Sequence, residues 1–213
     1  MNAIDYINEK YDISIEHSAK IDFDFELDES KLVTVIAGGS GTGKTTLLRK
    51  WFNVDDVNFK NDSDKSIFEE LMHNDDFEET SKLLFDVGLA SVPVWKNNYA
   101  RLSNGEKLRF EIAYKLKNSD DIFFVDEFTS MLDRQTAKNM SLKLNELLTK
   151  YNKRVVLATA HFDVLDWIKV DQLVDTNLKK LQSLQHPTLI TLMMWRLDEY
   201  QKSCGEHLVN ITI

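Results

Sequence analysis

Residues 38–45 read Gly38-Gly39-Ser40-Gly41-Thr42-Gly43-Lys44-Thr45 and match the pattern G-x-x-x-x-G-K-[ST]. Residues 32–37 ahead of the loop form a continuous apolar, largely β-branched run, which predicts a strand buried on both faces. Residues 45–52 behind it predict a helix. Strand, glycine loop and helix in that order make a phosphate cradle. The backbone N–H groups of 40–45 can surround a triphosphate, because glycine permits the turn and no side chain blocks the approach. The helix N-terminus adds partial positive charge. In such a cradle Lys44 reaches the β- and γ-phosphates, and the Thr45 hydroxyl ligates Mg2+. The contact set for ATP is therefore Gly38, Gly39, Ser40, Gly41, Thr42, Gly43, Lys44, Thr45 and Thr46. Four of the chain's seven glycines lie in this loop.

A second chemical cluster follows an apolar run at 122–125. Asp126 and Glu127 end that strand. At the C-terminal edge of a parallel sheet such a pair faces the ligand crevice. Asp126 is the candidate second Mg2+ ligand. Glu127 is the candidate base that orients or deprotonates the attacking water. A third buried run lies at 155–160.

Helical patterns alternate with these strands. Residues 104–117 carry Leu108, Ile112 and Leu116 four apart, and 135–150 carry Met140, Leu144, Leu147 and Leu148. The alternation predicts an α/β chain with an open, mostly parallel sheet flanked by helices. Residues 21–28 alternate apolar and acidic, which predicts a half-buried strand. Residues 55–79 hold ten carboxylates against Lys60 and Lys65, which suits a solvated loop with one or two helices. A short helix is expected over 81–87, ended by Gly88. The βα pattern stops after about residue 177, so 178–213 reads as an extension. It contains the apolar run 189–195, expected to be a buried strand or helix turn, with a partner-facing surface as the alternative.

Composition narrows the class. A formal charge of −9 gives no general attraction to a nucleic-acid backbone. One cysteine, Cys204, excludes an intrachain disulfide and a multi-thiolate metal site. No apolar run approaches the roughly 18–20 residues of a membrane helix, and the first residues lack the features of a signal peptide. A cytoplasmic protein without direct membrane insertion is expected.

The piece between the two clusters points to a family. Leu102-Ser103-Asn104-Gly105-Glu106 stands ahead of a helix, and its serine lies 59 residues after Lys44. It resembles the L-S-G-G-Q signature of ABC-type ATPases, within the P-loop NTPase architecture. Phe128-Thr129-Ser130-Met131-Leu132-Asp133 resembles the family's D-loop. His161, 34 residues past Glu127, resembles its switch histidine. The resemblance covers about 13–177 and implies an ATPase domain over 1–177. It also implies an N-terminal antiparallel β portion and a reduced helical subdomain at 55–118. Glu127, His161 and Lys44 would be catalytic. Ser103, Gly105 and Asp133 would grip ATP bound to a second copy, in an ATP-dependent homodimer. Tyr11 would stack on adenine, with Tyr6 and Phe23 as alternatives.

The chain departs from the family pattern in two places. The glutamine that normally lies between loop and signature is missing; Asn58 and Asn61 are candidate substitutes. The loop-to-signature spacing is also short for a transporter cassette. Residues 99–111 and 124–137 resemble more closely a soluble branch in which the ATPase is joined to a GNAT acetyltransferase-like domain. Only 27 residues remain from Pro187, too few for that domain. Four functions follow in order: an ATPase working as a dimer, a slow ATP-dependent switch that contacts an unidentified protein partner, a transporter subunit, and a chromosome or DNA-repair ATPase. The last ranks lowest, because the 55–79 segment is acidic and short.

Overall fold

The computed structural model describes residue 23 and residues 26–72 and 76–183. Tyr6, Tyr11, Cys204 and the run 189–195 lie outside the described residues, as do most of the extension and part of the 21–28 segment. The described part of that segment, residues 23 and 26–28, is not in a strand. The antiparallel pairing among the described residues is at the other end of the chain.

Five strands form one sheet: β1 (Val33–Ala37), β2 (Ile122–Val125), β3 (Arg154–Thr159), β4 (Gln172–Asp175) and β5 (Lys180–Ser183). Their order is β2-β3-β1-β4-β5. The first four are parallel, and β5 pairs antiparallel with β4. The sheet thus continues past residue 177 as far as Ser183. β4 is a strand that local sequence does not mark: four residues with polar Gln172 and Asp175 at the ends carry little strand signal, yet all four are buried. Gln172 finds its partner in the sheet, where its Oε1 accepts from Thr34 Oγ1 at 3.2 Å.

Helices α1 (Lys44–Phe52), α2 (Ile67–Met72), α3 (Phe77–Asp86), α4 (Asn104–Asn118) and α5 (Arg134–Tyr151) cover the sheet. The two faces are separate cores. Val33, Val35, Ala37, Phe123, Val125, Val155, Leu157 and Leu173 pack with α2 through α5. Ile36, Val156, Ala158 and Val174 pack with Leu47 and Leu48 of α1 and with Phe23. Alternate residues of β1 therefore enter opposite cores, which is why the strand is apolar throughout. Each fully buried aliphatic side chain contributes about 1.5–3 kcal/mol relative to exposure.

The helix ends follow local chemistry. α1 and α5 stop at Asn53 and Asn152, both left-handed at φ 49°, a conformation asparagine tolerates. α3 begins earlier than the expected 81–87, because Asp76 caps it by accepting from the Glu78 N–H. Gly88 follows it at φ 85°.

Candidate active site

The C-terminal ends of β1, β2, β3 and β4 lie on one edge of the sheet. Of the sequence-predicted site residues, those of the phosphate loop and Asp126, Glu127, Asp133 and His161 follow on one of those ends or lie within α1 or the turn before α5; Ser103, Gly105, Asn58 and Asn61 do not, and Phe23 is buried in the core with Leu47 and Leu48. β1 runs into the phosphate loop. Gly41 at φ 75° and Gly43 at φ 97° supply the left-handed turns. Gly38 is required for a different reason: a Cβ there would lie 2.0 Å from Thr176 Oγ1 and 2.8 Å from Thr42 Oγ1.

The loop is braced from outside. Thr42 Oγ1 donates to the Gly39 carbonyl at 2.9 Å and meets Thr176 Oγ1 at 2.6 Å. Gly39 N–H donates to Asn177 Oδ1 at 3.3 Å. The Thr42 side chain thus serves the loop itself. Thr176 and Asn177, which follow β4, are site-building residues that the sequence did not single out. No local pattern marks them, since their partners lie more than 130 residues away.

Lys44 is buried, and its Nζ donates to the carbonyls of Gly38 and Gly39 at 3.0 and 2.7 Å. A cation is therefore held inside the loop, against two oxygen acceptors. An open cleft of about 220 Å³ lies over it, lined by Ser40, Gly41, Gly43, Lys44, Thr45, Thr46 and Glu127.

Thr45 Oγ1 donates to Asp126 Oδ2 at 2.8 Å. The two candidate metal ligands are in direct contact across the sheet edge. No group of three or more His, Cys, Asp or Glu side chains able to hold a metal occurs among the described residues. Two hard oxygens beside a phosphate cradle instead fit Mg2+, which keeps several waters and takes phosphate oxygens with one or two protein ligands. Asn58 and Asn61 turn to local work: Asn58 Nδ2 donates to Asp56, and Asn61 Oδ1 accepts from the Ser63 N–H.

Glu127 is exposed at the cleft, with φ 51°. Thr129 has φ 66°, and its buried hydroxyl has no partner. Left-handed backbone at a glutamate and at a β-branched threonine costs on the order of 1–3 kcal/mol each, and persists only where the surroundings over-determine it. Phe128 between them does this: its ring is fully buried and its N–H donates to the Ala158 carbonyl at 2.8 Å.

A second cleft, about 180 Å³, opens between α4 and the turn after β2, beside Asp126 and Glu127. Glu111 lines it. Burial pushes the Glu111 carboxyl up, and the Asp126 charge adds to this, against the opposing Lys115 ammonium at 2.6 Å.

Ser103 begins α4 with a capping box. Its Oγ accepts from the Glu106 N–H, and Glu106 Oε2 accepts from both the N–H and the hydroxyl of Ser103 at 2.8 and 2.7 Å. The Ser103 hydroxyl holds the Glu106 carboxylate below its ordinary value. The turn is exposed at Ser103 and Asn104. Asp133 caps α5 by accepting from the Thr136 N–H at 3.0 Å, and the Thr136 hydroxyl, with that N–H, holds its carboxyl below the ordinary value. His161 lies two residues past β3, and its N–H donates to Thr159 Oγ1 at 3.0 Å. Arg134 joins α5 to the segment after His161, through Asp163 at 2.6 Å and the face of Trp167.

No family model matches the chain. It is 38% identical over 96 residues to the methionine import ATP-binding protein MetN 1 of Pseudomonas fluorescens, covering 45% of this chain and 28% of the relative. It is 36% identical over 96 residues to MetN of Streptococcus pneumoniae, covering 45% and 27%. The chain thus spans little more than a quarter of the length of these relatives. Among solved structures, a dimeric post-hydrolysis state of the ATP-binding cassette MJ0796 bound to ADP and Pi matches with TM-score 0.55 and 20% identity, covering 76% of this chain and 88% of that one. The structure of cbiO1 from Clostridium perfringens, part of the ABC transporter complex cbiONQ, matches with TM-score 0.52 and 16% identity, covering 83% and 84%. No helix among the described residues is long and apolar enough to cross a membrane. Sheet, loop and helices together have the fold of the ABC ATP-binding cassette, and part of the sequence is similar to import ATP-binding proteins.

Proposed function

We propose that the chain is an ABC-type ATPase that binds ATP with Mg2+ between two copies and hydrolyses it. The observation that carries this reading is the 2.8 Å contact of Thr45 with Asp126 beside the Lys44-filled loop. Thr45 and Asp126 would hold the Mg2+, which would supply positive charge against the phosphates. Lys44 exchanges its two carbonyl partners for phosphate oxygens. Glu127 aligns the attacking water and accepts its proton, and His161 contacts the γ-phosphate. Ser103 and Gly105 of a second copy close the site with a helix N-terminus directed at the anion, and Asp133 lies at the same junction. Exposure of the Ser103 turn supports this arrangement, since a turn buried in its own subunit could not reach a neighbour. Loss of the γ-phosphate removes what both copies grip, and the dimer opens.

The ATPase unit spans 1–177 with β5 added, and 55–118 forms the reduced helical subdomain. The resemblance at 99–111 and 124–137 favours the GNAT-associated soluble branch and a cytoplasmic location, over a subunit that docks on a membrane permease. The test is Glu127→Gln. The variant is expected to accumulate as an ATP-bound dimer by light scattering. A protein that stays monomeric at saturating ATP and Mg2+ overturns the reading.

One observation favours a slow switch as the second reading. Glu106 places a carboxylate on the turn that would meet the γ-phosphate. ATP binding without measurable turnover in the unsubstituted protein would select it.

A further inference from the structure

Thr159 is the last residue of β3 and is fully buried. It touches three loops at once. Its carbonyl accepts from the Gly38 N–H at 3.3 Å, at the start of the phosphate loop. Its hydroxyl donates to the Phe128 carbonyl at 3.1 Å, one residue after Glu127. The same hydroxyl accepts from the His161 N–H at 3.0 Å. The neighbouring Ala158 carbonyl accepts from the Phe128 N–H, so Phe128 is held on both sides by β3.

We propose that Thr159 is a positioning residue of the ATPase site, whose hydroxyl joins the Glu127 turn to the His161 turn so that the two move as one unit. The inference rests on the proposed ATPase reading. A hydroxyl donates and accepts at the same time. Valine has the same shape and keeps the strand, but it leaves the Phe128 carbonyl and the His161 N–H without this partner. The left-handed residues Glu127 and Thr129 flank Phe128, so releasing its carbonyl frees the strained turn to relax. Glu127 then loses its aim while the phosphate loop, held through the Thr159 backbone, keeps its shape. Catalysis and nucleotide binding should separate.

The test compares Thr159→Val and Thr159→Ser in the full chain, with Thr159→Ala as a second hydroxyl-free variant should valine not fold. Two readouts are taken: ATP turnover, and amide hydrogen exchange at 127–130 and 161–163 without nucleotide. Expected for valine or alanine is a kcat lower by up to about 100-fold, the cost of misplacing a catalytic group by about 1 Å, with KM for ATP within about twofold and faster exchange in both segments. Serine should restore both readouts. Unchanged exchange in valine overturns the proposal, as does equal damage in valine and serine, which would mark a packing role. An unsubstituted protein that never turns over ATP sinks the ATPase reading alone, and the exchange comparison then still decides the link between the two turns.

Discussion

Thr45 Oγ1 donates to Asp126 Oδ2 across 2.8 Å although 81 positions separate them. The bond joins the first turn of α1 to the end of β2, on the edge of a parallel sheet where both β1 and β2 release their loops. A metal entering there meets two oxygens already placed.

The first prediction follows from that pair. Thr45→Val deletes one oxygen and leaves Asp126 Oδ2 without its donor. The Mg2+ concentration for half-maximal turnover should rise about 10–100-fold, while Thr45→Ser stays close to the unsubstituted protein. A magnesium titration of ATP turnover checks this, and equal midpoints for valine and serine would contradict it.

Gly38 gives a stability prediction. Alanine there must displace Thr176 and Thr42, because its Cβ would lie 2.0 Å from one side-chain oxygen and 2.8 Å from the other. Overpacking of this kind costs about 1–3 kcal/mol. For a chain of this size each kcal/mol lowers Tm by about 2–4 °C. The cost should shrink in a Thr176→Ala background, since the nearest obstacle is gone and the Thr42 hydroxyl is the end of a rotatable side chain. Thermal unfolding of the two single variants and the double variant closes the cycle.

Strain at Glu127 makes stability and activity trade against each other. Asparagine accepts the left-handed backbone that glutamate adopts at φ 51°. Glu127→Asn should abolish turnover and raise stability by about 1 kcal/mol. Denaturant unfolding measures it; an unchanged or lower midpoint would show that the turn is not strained at this residue.

The capping box at α4 predicts a pH effect with a definite sign. The Ser103 hydrogen bonds hold the folded Glu106 carboxyl below its ordinary value of 4.5. A carboxyl lowered by folding stabilises the protein above its unfolded value, and that contribution is lost as pH falls through the folded value. Ser103→Ala should therefore flatten the acid limb of a stability-against-pH curve below about 4.5. At neutral pH it should cost about 0.5–1 kcal/mol, the low end for a cap because the turn is exposed.

Glu106→Gln separates the two functional readings. Glutamine keeps the capping box and removes the charge facing the proposed γ-phosphate. In a Glu127→Gln background it should lower the ATP concentration that drives dimerisation by about fivefold, equivalent to about 1 kcal/mol. The effect should fade at high salt. Light scattering across an ATP series reads both, and no change would remove electrostatics as the cause of any slow turnover.

Much of the candidate site was legible in the chain because its signals are local. The glycine spacing of 38–43, the apolar runs of β1, β2 and β3, and the acids that end β2 each lie within a few residues of one another. α4 and α5 appeared at nearly their observed limits for the same reason, since a 3.6-residue repeat is written into the helix itself. α3 starts four residues before its own pattern predicts, because the cap at Asp76 sits within a run of carboxylates that also suits a loop. β4 escaped because a four-residue strand with polar ends has too few positions to show a period, and only its neighbours in the sheet make it a strand.

By itself the sequence determined the phosphate loop, the strand and helix around it and the acid pair, because bonded geometry and short-range periodicity are properties of contiguous residues. Tertiary structure alone decided the order β2-β3-β1-β4-β5, the bracing of the loop by Thr176 and Asn177, and the convergence of Gly38, Phe128 and His161 on Thr159. Those contacts join residues that are, with the exception of Thr159 and His161, dozens to more than a hundred positions apart. Their energies depend on which strands lie side by side, and no local pattern in the chain carries that information.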